Sequence, residues 1–148
     1  IYKAAGTSYA ITIMRRMMLR IATKVAWNNN DIVLSTGESF GQVASQTLKS
    51  FVAIDPATPM PIIRPLVAID KIDIIDIAQK INTFDISVRP YEDCCTIFDV
   101  KNPTTCPHPD KIEEIENSFD WKPMVEECAR NVQKIYITDD DEDDSNLL

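Results

Sequence analysis

Through AITIMRRMMLRIATKVAWNNN, Met14, Met17, Met18, Ile21 and Val25 recur at helical spacing, which predicts an amphipathic helix stopped by the asparagine run. On a wheel of about 100° per residue, Arg16, Arg20, Thr23 and Lys24 fall together on the polar side. Arg15 falls elsewhere, between Leu19 and Ala22 on the flank of the apolar arc. A guanidinium in that position either finds an anion or snorkels to water along its own stem.

The next apolar run, IVLS, is short and rich in β-branched residues, as in a strand buried on both faces. It leads into TGESFGQVASQT, which holds two of the chain's three glycines. Ser39 and Gln42 have the spacing of a capping box, predicting a helix from Ser39 to about Ser50. A strand, a short glycine turn and a helix start form the edge at which open α/β sheets bind anionic ligands. PIIRPLVAID then reads as a second strand interrupted by Pro65. Asp70 is placed to cap the helix KIDIIDIAQKI, with Ile72, Ile75, Ala78 and Ile81 along one side and Asn82 as its stop. Strand, helix, strand, helix is the order of a parallel sheet with right-handed crossovers.

Beyond this, FDISVRP reads as extended, YEDCCTIF as a loop or short strand, and KNPTTCPHPD as an irregular connection. Two closing helices are expected in KIEEIENSF and DWKPMVEECARNVQKI. Asp120 caps the second, Pro123 lies harmlessly in its first turn, and Met124, Cys128 and Ile135 share a packing face.

Composition narrows the picture. At 148 residues and 45% hydrophobic the chain suits one domain with a core. The net charge of −8 is uneven, since six acids lie in DDDEDD, residues 139 to 144. Without them 17 acidic residues face 15 basic ones, so the body is nearly neutral and residues 139–148 are expected to be a solvated, disordered tail. No apolar run is long enough for a membrane span, and IYKAAGTSYA lacks the regions of a signal peptide, so the expected location is cytoplasmic. Cys94, Cys95, Cys106 and Cys128 are expected to be reduced, because adjacent cysteines form only strained bridges. The lone His108 between prolines and the lack of a CxxC pair argue against a bound metal.

Two places remain as candidate chemistry. Gly37 at the strand end would let a ligand approach the backbone, while Gly41 would keep the first helical turn uncluttered; a tight turn explains both equally well. Gln46, one turn beyond Gln42, either reads a nucleobase or meets water. The pair Cys94-Cys95 follows Glu92 and Asp93, whose charges raise a thiol pKa, while Arg89 lowers it; a buried structural thiol is the alternative. A thiol oxidoreductase using the pair is disfavoured, since redox pairs normally have two intervening residues.

At this point TIMRRMMLRIA, TGESFGQVASQT, PIIRPL and PYEDCCTIF, in one uninterrupted order, resemble the C-terminal ATP-pyrophosphatase domain of tRNA 4-thiouridine synthetases. These enzymes are also called tRNA sulfurtransferases and are linked to thiamine biosynthesis. The resemblance implies an α/β, Rossmann-like fold of the adenine nucleotide alpha hydrolase type. Residues 1–138 would be the C-terminal part of the domain. It further implies adenylation of a uridine carbonyl oxygen in tRNA by ATP with Mg2+, then delivery of persulfide sulfur to that carbon. Carried over by position, Arg15, Gly37 and Gln46 are nucleotide-binding residues and Cys94 carries the sulfur. The implied partners are tRNA, a cysteine desulfurase and, in a homodimer, a second copy of the chain. The family's Ser-Gly-Gly phosphate loop, RNA-binding module and ferredoxin-like region do not occur in this sequence. The chain is therefore expected to be a fragment, holding about half of an active site and inactive alone. The competing expectation is a domain that kept the fold for nucleotide or protein binding and lost the chemistry.

Overall fold

A computed structural model describes residues 1–90 and 102–136. The thiols Cys94 and Cys95, their acidic neighbours and the acidic tail lie outside the described residues.

The predicted first helix is present and longer than its apolar pattern. Helix α1 spans Tyr2–Asn28 and is broken by a non-helical Gly6 at φ 63°, so the segment read as a leading loop already contains helical turns. Its buried side chains are Ala5, Ala10, Ile13, Met17, Leu19 and Ala26, together with Thr12 and Thr23, whereas Met18 is 56% exposed. The packed face is thus rotated toward the arginines. An open apolar groove of about 460 Å³ runs along the other flank, where Met18, Ile21 and Val25 face Val33 and Leu34.

Strands β1 (Leu34–Ser35) and β2 (Ile62–Ile63) pair in parallel, with Leu34 opposite Ile62 and Ser35 opposite Ile63. Parallel pairing agrees with the strand, helix, strand order. The expectation that IVLS is buried on both faces does not hold, since Ile32 is 84% and Val33 37% exposed. The backbone pairing leaves the carboxyl ends of both strands side by side, with Leu34 N–H on Pro61 O and Thr36 N–H on Ile63 O.

The helix after β1 starts later than predicted. Residues from Gly37 on make an irregular loop, a 3-10 turn covers Ala44–Gln46, and α2 is Leu48–Ile54. Ser39 does not cap it; its hydroxyl donates to Ile69 O at 3.0 Å. Gly41, at φ 77°, stands in the left-handed region that interrupts any helix from Ser39. Thr47 is the true cap, accepting from the Ser50 amide at 3.1 Å and donating to Thr105 O at 2.8 Å.

Helix α3 (Lys71–Lys80) follows Asp70 as predicted, although the Asp70 side chain makes no capping bond, and Asn82 ends it at φ 58°. Its predicted apolar line is not buried: Ile72 is 74% and Ile81 62% exposed. FDISVRP is not extended, because Phe84–Ser87 forms a single turn, α4, with Ser87 N–H and its hydroxyl both on Thr83 O. Helices α5 (Pro109–Asn117) and α6 (Trp121–Arg130) close the described chain, and Pro123 is accommodated in the first turn of α6. The face of α6 that packs carries Val125 and Ala129 rather than Met124, Cys128 and Ile135, which are exposed.

The core forms where α1 meets α5, α6 and Ala53 of α2, around Ile13, Met17, Ile112, Ile115 and Val125. Its polar seam is Glu116, which takes Arg16 at 2.7 and 3.1 Å and Arg20 at 2.6 and 2.7 Å. Arg20 also lies over the Trp121 ring, 3.9 Å from its centroid. Burial pushes the Glu116 carboxyl up, but the hydrogen bonds and charges of Arg20 and Arg16 outweigh it and hold the group below its ordinary range. The predicted polar side of α1 is therefore an ion-pair interface.

Candidate functional site

The second set of charges gathers at the carboxyl ends of the two strands. Arg15 reaches there from α1, Glu38 from the loop after β1 and Arg64 from the residue after β2. Glu38 is buried, and its side chain is 8% exposed. Its Oε1 forms an ion pair with Arg15. Its Oε2 accepts from Arg64 Nε at 2.8 Å and from Thr36 Oγ1 at 2.8 Å. Arg64 extends the chain of contacts, donating to Asp55 Oδ1 at 2.6 Å and lying 4.5 Å from the Phe51 ring centroid. Arg15 donates in turn to Ser45 Oγ at 3.1 Å.

The odd placement of Arg15 on its helix is thereby explained. It needs an anion, and Glu38 supplies one. The same contact places Arg15 between the loop residue beside Gly37 and the one beside Gln46, so the three residues expected to act together border one region. The described structure does not place Cys94 with them, because that residue lies outside it.

Each of the other two makes a distinct observation. Gly37 has no left-handed φ, and a Cβ built on it would meet no atom within 4 Å. Neither backbone conformation nor packing against the described residues requires a glycine there, which removes the tight-turn explanation at Gly37. Gly41 keeps it, through its positive φ. Gln46 ends the 3-10 turn, and its main-chain oxygen accepts from Gly41 N–H at 2.9 Å. Its side-chain Oε1 is buried and accepts no hydrogen bond from the described residues. Buried oxygens of this kind are rare and costly unless a ligand or water supplies the donor.

The helix start expected at Ser39 does not stand at this edge, since α2 is only seven residues long and begins at Leu48; the charged groups at the strand ends are the side chains of Arg15, Glu38 and Arg64. Glu38 and Arg64 are the residues that sequence reasoning missed. The signal was two unexplained charges: a carboxylate in a loop expected to attract anions, and an arginine on an apolar flank.

The family described as thiamine biosynthesis protein (ThiI) matches residues 1–121. The chain belongs to the ThiI family. A solved structure described as a 4-thiouridine synthetase in complex with RNA and bound ATP is 40% identical to it, with a TM-score of 0.77. The match covers 84% of this chain and 33% of that one, so the chain spans about one third of that neighbour. The two parallel strands and their helices are accordingly part of a ThiI-type, adenine nucleotide alpha hydrolase-like α/β fold. Among the described residues no helix is long and apolar enough to cross a membrane. Cys106 and Cys128 are free thiols.

Proposed function

We propose that this chain supplies one wall of the nucleotide site and the sulfur-carrying loop of an ATP-dependent tRNA sulfurtransferase making 4-thiouridine. The observation that carries the reading is the joint placement of Arg15, Gly37 and Gln46 at the strand ends of a ThiI-family fold. The RNA and ATP in the neighbouring structure's description support the same substrates. Residues 1–138 belong to the ATP-pyrophosphatase domain in this reading. The family description supports a further role in sulfur transfer for thiamine.

The residues fit an adenine nucleotide. Arg15 supplies charge for phosphate, Gly37 leaves the backbone open to close approach, and Gln46 Oε1 is an acceptor for an exocyclic amine. Mg2+ enters with the nucleotide. Among the described residues no group of three or more His, Cys, Asp or Glu could hold a metal ion, so this wall gives it no dedicated cage. ATP supplies the adenylyl group: the uridine carbonyl oxygen bonds to the α-phosphorus and pyrophosphate leaves. The outer sulfur of a Cys94 persulfide, charged by a cysteine desulfurase, then bonds to the activated carbon as AMP leaves. A second thiol then attacks the Cys94 sulfur of the resulting disulfide, forming a new disulfide with Cys94 as the S–S bond to the base breaks and the thiolated base leaves.

The test separates the adjacent thiols in the full-length protein, with desulfurase, cysteine, ATP and unmodified tRNA. Cys94→Ser is expected to stop 4-thiouridine formation and leave adenylation of the tRNA intact, because an alcohol cannot carry the sulfur. Cys95→Ser is expected to retain activity. If both variants stay active, sulfur travels without a thiol in this loop and the mechanism is wrong.

A further inference from the structure

Glu38 has no part in the chemistry just described, yet it is the most enclosed charge at the site. We infer that Glu38 is a positioning residue for nucleotide binding, the joint through which Arg64 and Phe51 fix the Arg15 guanidinium. The inference rests on the reading of Arg15 as a nucleotide-binding residue.

Three observations carry it. The carboxylate is divided between two cations, Oε1 on Arg15 and Oε2 on Arg64, so each oxygen has a different task. Arg64 is itself immobilised from two further sides, by Asp55 at 2.6 Å and by the Phe51 ring, which is buried in α2. Thr36 fixes the carboxylate plane from its own loop at 2.8 Å. A rigid path thus runs from the α2 core through Arg64 and Glu38 to a guanidinium on α1. Ser45 holds that same guanidinium from the 3-10 turn next to Gln46.

The physical reason for such a joint is charge. Arg15 and Arg64 share one carboxylate in a largely desolvated place, their side chains 19% and 12% exposed. Without the carboxylate the two cations repel, and the more exposed one, Arg15, loses one of the contacts that orient it. With it, the guanidinium is already oriented when a triphosphate arrives, and little ordering remains to be done on binding.

The opposite expectation is equally concrete. If Glu38 were a competitor that Arg15 must abandon to reach phosphate, removing its charge would tighten binding. ATP titrations of the full-length protein by calorimetry decide between them, using wild type, Arg15→Ala, Glu38→Gln and the double variant. Glu38→Gln is expected to weaken ATP affinity about tenfold, within the range of couplings between members of one ion-pair network. In the Arg15→Ala background it is expected to add almost nothing, since the group it positions is gone. Equal weakening in both backgrounds, an unchanged affinity or a tighter one each overturns the inference. A normal affinity in Arg15→Ala alone overturns instead the nucleotide reading beneath it. Should Glu38→Gln not fold, Glu38→Asp keeps the charge and shortens its reach. A smaller loss, again only in the presence of Arg15, supports the joint, and a loss independent of Arg15 overturns it.

Discussion

Arg15 and Arg16 are neighbours in sequence and leave α1 toward opposite fates. Arg16 joins Arg20 around Glu116 in a seam closed by Trp121 of α6, where the pair locks three helices together. Arg15 joins Arg64 around Glu38 at the ends of two strands, beside an open Gly37 and a buried Gln46 oxygen that has no donor among the described residues. Both centres set two arginines on one glutamate. The chemistry is the same, and what differs is the surroundings. In the first, the two arginines are 12% and the glutamate 10% exposed where three helices meet, so the ion pairs serve packing. In the second, Arg15 is 19% exposed, and a Cβ on the neighbouring Gly37 would meet no described atom within 4 Å. A buried arginine pair is therefore no mark of a binding site until its neighbours are read.

The largest effect that would sharpen this contrast is Glu116→Ala. It leaves two guanidiniums uncompensated inside a helix interface, and breaking a buried pair of this kind costs about 3 to 5 kcal/mol. Hydrogen exchange along α1, α5 and α6 of the full-length protein is expected to show it. Near-native protection would mean that the seam contributes little. Next in size, Gly37→Val is expected to weaken ATP binding by about 2 kcal/mol, or roughly thirtyfold. Stability should stay within about 0.5 kcal/mol, as is usual where a side chain meets nothing. Equal losses of binding and stability would make Gly37 a structural residue after all.

The smallest effect is the pH dependence of the seam. The folded Glu116 pKa is depressed, so the stability it contributes is fully present above the unfolded glutamate value of about 4.3. It is lost as pH falls through the depressed folded value. Chemical denaturation of the full-length protein over this acid range is expected to show a slope that Glu116→Gln flattens. The same slope in both proteins would assign it to other carboxylates.

Much of the frame was legible in the sequence: α1 through its periodicity, the parallel strands through their order, and α3 between Asp70 and Asn82. What could not be read depended on distance along the chain. A helical wheel shows that α1 has a polar side, but the anion that turns this side into a packing face is Glu116, about a hundred residues away. The capping box at Ser39 fits local spacing. It loses because the Ser39 hydroxyl is taken by Ile69 O and because Gly41 adopts a positive φ, while Thr47 offers an equally good cap eight residues on. The amphipathic faces of α3 and α6 misled for a related reason, since periodicity marks an apolar side without saying what covers it. At the site, Arg15, Gly37 and Gln46 stood out by residue type and position, and their shared nucleotide role came from resemblance. Glu38 was open to physical argument, because two unmatched charges of opposite sign were waiting for each other.

If Arg15 serves a ligand where Arg16 serves the fold, one calorimetric titration shows it. In the full-length protein, Arg15→Ala is expected to weaken ATP binding by about 1.5 to 3 kcal/mol, the scale of a hydrogen bond to a charged group. That corresponds to a loss of roughly tenfold to a hundredfold or more. An unchanged ATP affinity would contradict it and make the Arg15–Glu38 centre a second structural seam.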